Sequence, residues 1–134
     1  MKKFLLILTL ALFAGFAAKA QDDDNDKIRD KMREFIQKRL NLSKNEAERF
    51  TPVFIRYFRE WRQAIREHKD DRLLRQQKIV DLRIRYRTEF KEIVGEKRSN
   101  QVFENQDRFV KIIKQQALER KNDPPARNRN LLLE

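Results

Sequence analysis

One imidazole and a few neighbouring carboxylates are all this sequence offers for acid–base or metal chemistry. His68 is the only histidine, beside Lys69 and Asp70 at an expected helix end. Such chemistry requires several groups converging on one reacting atom. Glu89 with Glu92, and Asp70 with Asp71, are pairs in sequence but are surrounded by basic residues, so helix-surface ion pairs account for them better. The absence of cysteine removes thiol nucleophiles, disulfide frameworks and Cys-based zinc sites. Two glycines leave nothing for a phosphate-cradling loop or a dinucleotide-binding turn. A metal site needs several His, Cys or carboxylate ligands at suitable spacing, and none is apparent. No enzymatic activity, cofactor or metal is therefore expected.

What remains is chemistry of surfaces. Phe50, Phe54, Tyr57, Phe58 and Trp61 form a large aromatic cluster at helical spacing. Its ordinary reading is core packing, because the rings share one face. The alternative is that Phe54, Phe58 and Trp61 stay partly exposed and grip apolar segments. Arg59, Arg62 and Arg66 lie on the opposite face of the same helix, where a solvated charge row is the default. Arg83, Arg87 and Lys91 are more informative, since they interrupt or border an apolar surface that includes Val80 and Ile84. Guanidinium groups so placed can pair across a dimer seam or contact acidic partners.

The elements that position these residues are helices, favoured by 40% charged residues and so few turn formers. Ile28, Met32, Phe35, Ile36 and Leu40 recur at helical spacing, and Asn41-Leu42 interrupts them. Ser43-Lys44-Asn45-Glu46 reads as a capping box that starts a second helix. On that helix Phe50, Val53, Phe54, Tyr57, Phe58, Trp61, Ala64 and Ile65 fall within about 140° of arc. Pro52 lies inside it, which predicts a kink near Arg49 or a restart at Pro52. His68–Asp71 is the expected turn, with Asp70 or Asp71 as N-cap, and a continuous helix is the alternative.

The third helix, to about Val94, carries two apolar edges. Ile79, Leu82, Tyr86, Phe90 and Ile93 make one, while Leu73, Val80 and Ile84 make another, rotated by roughly 120°. Gly95 should end it. Val102, Phe103, Phe109, Val110, Ile113 and Ala117 form one broad face on a last helix, which Asn122-Asp123-Pro124-Pro125 stops. The expected layout is an export signal at 1–20, an acidic disordered lead-in at 21–26, a helical domain at 27–122 and a flexible tail at 123–134.

Lys2 and Lys3, the uncharged run Phe4–Ala17 and the small-x-small Ala18-Lys19-Ala20 have the pattern of a cleaved export signal. Its removal takes three lysines and lowers the formal charge from +11 to +8. An exported basic protein meets little nucleic acid, so acidic protein or anionic lipid becomes the expected partner.

The segment Leu40-Asn41-Leu42-Ser43-Lys44-Asn45-Glu46 resembles the LTxxQ signature of the Spy/CpxP family of small periplasmic stress proteins, with Leu42, Ser43 and Glu46 in an L-S-x-x-E form. The following Phe50-Thr51-Pro52-Val53-Phe54 and the long basic third helix fit the same layout. A second copy is matched loosely by Val94-Gly95-Glu96-Lys97-Arg98. The resemblance implies an all-α, four-helix hairpin arrangement that forms a curved homodimer. It also implies ATP-independent binding of unfolded envelope proteins; the positive charge adds acidic segments and peripheral membrane contact to the expected partners. The competing expectation is a regulator that binds a membrane stress sensor or anti-sigma partner; a metal-responsive protein is the weakest version.

Overall fold

Four helices make up residues 24–122, the part of the chain described by this computed structural model. α1 covers residues 24–39, followed by α2 (Lys44–Glu67), α3 (Arg72–Val94) and α4 (Glu96–Asn122). The expected export signal and the tail from 123 onward lie outside the described residues. Of the expected acidic lead-in, residues 24–26 are already helical, and Asp26 pairs with Arg29 one turn on at 3.0 Å. An acid placed i,i+3 from an arginine supports helix where composition alone suggests disorder.

The connections are short, and each uses local chemistry. α1 closes on a Schellman motif: the Leu42 N–H donates to the Gln37 carbonyl and the Asn41 N–H to that of Lys38. Asn41 takes the required left-handed conformation, with φ 51°. Ser43 then caps α2, and both halves of the capping box form at 3.1 Å. Asp71 is the N-cap of α3, accepting from the Leu74 N–H at 3.0 Å, so α2 and α3 are separate helices.

Gly95 is the whole connection between α3 and α4. Its N–H donates to Lys91 as α3 ends, and its carbonyl accepts from Ser99 as α4 begins. The backbone there has φ 86° and ψ 168°, a region essentially restricted to glycine. An added Cβ would meet no atom within 4 Å, so the penalty is conformational only. Gly95→Ala is expected to lower stability by about 1–3 kcal/mol in urea unfolding.

Pro52 neither breaks nor restarts α2, which runs unbroken from Lys44 to Glu67. The missing N–H deprives the Glu48 carbonyl, but Glu48 is exposed and water can replace the bond. The neighbouring Thr51 hydroxyl donates to the Ala47 carbonyl at 2.8 Å.

The core collects apolar residues from all four helices. Met32, Ile36 and Leu40 come from the α1 end; Phe50, Val53, Phe54, Tyr57 and Phe58 from α2; Leu82, Tyr86, Phe90 and Val94 from α3; Val102, Phe103 and Phe109 from α4. Phe35 stacks obliquely on Phe109, and Arg39 donates to Asn105, so α1 runs antiparallel to α4. Arg56–Glu89 and Glu60–Arg85 pairs flank an antiparallel α2–α3 contact.

The broad face expected on α4 ends early. Val102, Phe103 and Phe109 are buried, but Ile113 and Ala117 are exposed, as is Leu118 at 60%. Helical periodicity continues along α4 beyond the point where the other helices cover it.

Candidate binding surface

The two edges of α3 have different fates. Leu82, Tyr86 and Phe90 enter the core, and Ile93 packs partly against it. Leu73, Val80 and Ile84 remain on the surface, exposed by 78%, 53% and 52%. Arg87 and Lys91 continue that edge and are exposed. A row of apolar side chains leading into two cations therefore lies on one face of a rigid helix. Nonpolar contact and charge attraction are both available to a partner there.

Four other expected surface residues are placed differently. Phe54 is fully buried and Phe58 is 5% exposed: Phe54 packs among Phe50, Tyr57 and Phe58, and Phe58 also faces the residues of α1. Neither ring lies on the surface. Trp61 is half-buried, with its ring centroid 5.6 Å from that of Phe58.

Arg83 is the fourth. Its Nε donates to the Tyr57 hydroxyl at 3.2 Å, and its Nη2 donates to Gln106 Oε1 at 2.9 Å and Asp107 Oδ1 at 2.7 Å. Tyr57 also donates to Gln106. Burial pushes the Tyr57 hydroxyl up, against the opposing pull of the Arg83 charge. The Tyr86 hydroxyl is pushed up to about 12 by burial and then by Glu60. Both phenols therefore stay neutral, as donors and acceptors rather than charges. Arg83 is a strut between α2, α3 and α4, and its guanidinium is engaged inside the molecule.

The chain matches no protein-family model, curated protein or solved structure. The functional reading therefore rests on the residues themselves.

The L-S-x-x-E residues sit at a structural joint. Leu42 is half-buried and packs against the core, and Ser43 caps α2. The Glu46 carboxylate completes the capping box and also accepts from Arg98 of α4. Arg98 further donates to the carbonyls of Val94 at 2.9 Å and Leu40 at 3.4 Å. One guanidinium thus ties the ends of α1 and α3 to the starts of α2 and α4. Sequence reading found Glu46 through its cap but not Arg98, whose partners lie 52 and 58 residues away.

Arg98, then the Ser43 N–H, holds the Glu46 carboxyl below its ordinary value of 4.5. The unfolded chain therefore takes up this proton more readily than the folded one. The resulting stabilisation is present above the ordinary value and is lost as pH falls through the lowered folded value. The Tm difference between wild type and Glu46→Gln should be largest near neutrality. It should shrink as the pH falls from about 5 towards 3. A constant difference across that range would remove Glu46 as a source of acid sensitivity.

His68 is half-buried at the end of α2, where its N–H donates to the Ala64 carbonyl. Asp71 is a cap, and Glu89 pairs with Arg56 at 2.8 Å. Among the described residues, no group of three His, Cys, Asp or Glu side chains is arranged to hold a metal ion. Among the same residues, no helix is long and apolar enough to cross a membrane.

Proposed function

We propose that this chain is an exported, ATP-independent holdase of the Spy/CpxP type, which captures unfolded, acidic protein segments. The observation that carries this reading is the exposed edge of α3, where Leu73, Val80 and Ile84 lead into Arg87 and Lys91. Large apolar side chains exposed along one row are characteristic of interaction surfaces. The net positive charge attracts acidic clients at long range, and the apolar row then holds them at short range. Release needs no nucleotide, because a client that buries its own apolar surface no longer presents anything to bind. The L-S-x-x-E segment and the order of the four helices support the family reading, in which two copies form a curved dimer.

The test is light scattering from an aggregating acidic client with and without the protein, across a salt series. Suppression should appear at a several-fold molar excess and fade as salt screens the charges. It should also weaken in a Val80→Ser, Ile84→Ser variant that keeps wild-type stability. Absence of suppression at every ratio would sink the reading. Mass measurement on the same variant checks the dimer: a change from two copies to one would assign the α3 edge to the subunit interface instead.

A further inference from the structure

We infer that the groove between α1 and the second half of α2 is a binding site for phosphoryl groups, a role separate from the α3 edge and independent of the holdase reading. Arg59, Arg62 and Arg66 follow one another along α2 at spacings of three and four residues, so they share a face. A charge row on the back of a helix would ordinarily face open water. Here α1 lies alongside, and Asn25, Asp26 and Arg29 form the opposite wall of a groove of about 320 Å³. Ile55 and the buried Phe58 contribute an apolar floor.

The charge balance within this groove is one-sided. Four guanidinium groups and one carboxylate line it; Arg29 is already paired with Asp26 at 3.0 Å and Asp30 at 3.2 Å, which leaves the three arginines of α2 without a carboxylate of their own there. The acids of α2 that could compensate are engaged elsewhere. Glu60 pairs with Arg85 of α3, and Glu67 accepts from Gln63. Arg59 and Arg66 make no ion pair or hydrogen bond among the described residues. Arg62 donates through Nη2 to Asn25 at 2.9 Å, while its Nε is buried without an acceptor.

Like charges gathered in a small groove repel one another, and a buried donor without an acceptor adds a further penalty. A ligand carrying two or more negative charges and several acceptor oxygens relieves both. Phosphoryl groups have that charge and those oxygens, and they match the planar donor fork of arginine. A single carboxylate supplies only one charge. The same headgroup chemistry is available from a soluble phosphate compound and from an anionic phospholipid, so the test separates the two.

Full-length mature protein is titrated with pyrophosphate by calorimetry, and in parallel sedimented with vesicles of phosphatidylglycerol in phosphatidylcholine or of phosphatidylcholine alone. The test variant is Arg59→Ser with Arg66→Ser, which removes two exposed arginines without disturbing Arg62. The control is Lys111→Gln with Lys114→Gln, which removes the same charge from α4. Pyrophosphate binding that the test variant weakens at least about tenfold, and the control much less, establishes a site for soluble phosphoryl compounds. Binding only to the phosphatidylglycerol vesicles, with the same pattern, identifies the lipid headgroup as the source. No binding to either probe would overturn the inference, as would equal losses in test and control, which would mean diffuse charge. Holdase activity is scored separately, and its failure would leave this outcome unchanged.

Discussion

Phe90→Ala should reduce the stability of this protein more than any substitution on its surface, by about 3–5 kcal/mol. The ring is fully buried, with centroids 5.2 Å from Phe50, 6.0 Å from Tyr57 and 5.8 Å from Phe103. It therefore fills the space where α2, α3 and α4 meet, and truncation opens a cavity that three helices would have to close together. Domains of this size are stable by only about 5–15 kcal/mol, so the loss consumes a large share of the total. The expected fall in Tm is roughly 15–30 °C. Val80→Ala, on the same helix but 53% exposed, should change stability by less than about 0.5 kcal/mol. Thermal unfolding of the two variants side by side checks both the core and the orientation of α3. Equal effects would mean that α3 is rotated from the arrangement described.

Arg83→Met should cost about 2–4 kcal/mol, and if the proposed client capture is real it should leave that capture unchanged below the unfolding temperature. The substitution keeps most of the aliphatic stem but withdraws charged donors from Tyr57 and Gln106, both buried. Gln106 would still accept from Tyr57, which limits the loss. The Asp107 partner contributes less, because its side chain is 64% exposed and solvent screens the pair. Asp107→Ala is thus expected to cost less than about 1 kcal/mol. Urea unfolding separates the cases, with Arg87→Ala as a nearly neutral comparison. If Arg83→Met kept full stability but lost capture, Arg83 would belong to the binding surface after all.

The contrast between Arg83 and Arg87 shows where sequence reading works and where it stops. The capping box at Ser43–Glu46, the Asp71 cap and the Gly95 joint were legible because every interaction they need lies within four residues. The two edges of α3 were legible as well, since periodicity alone assigns residues to faces. What periodicity lacks is the identity of the neighbour. Arg83 meets Asp107 only after α4 has folded back, and Phe54 and Phe58 become core only because neighbouring helices, α1 among them, cover their face. Ile113 and Ala117 err in the other direction: their spacing is that of a buried face, but among the described residues no helix buries them. Pro52 does not restart α2, because the Glu48 carbonyl that loses its partner belongs to an exposed residue and can turn to water.

The arginines on the back of α2 are a similar case. Their row was visible in the sequence, but its solvated reading assumed open water beyond it. Only the path of α1, carrying Arg29 and Asn25 alongside, turns a row of charges into one wall of a groove.

The single-residue joint at Gly95 makes chain length itself a carrier of information. Each α-helical residue turns the chain by about 100°, so one residue gained or lost inside α4 ahead of Val102 would swing Phe103, Gln106 and Phe109 towards solvent. No slack exists in the connection to absorb that rotation. The longer turn at His68–Asp71 has room to take up such a change. An insertion or deletion should therefore be tolerated at one end of α3 and forbidden at the other, although both ends lie on the surface. Any related chain that shares this fold would be expected to vary in length at the first turn and to keep the count fixed at the second.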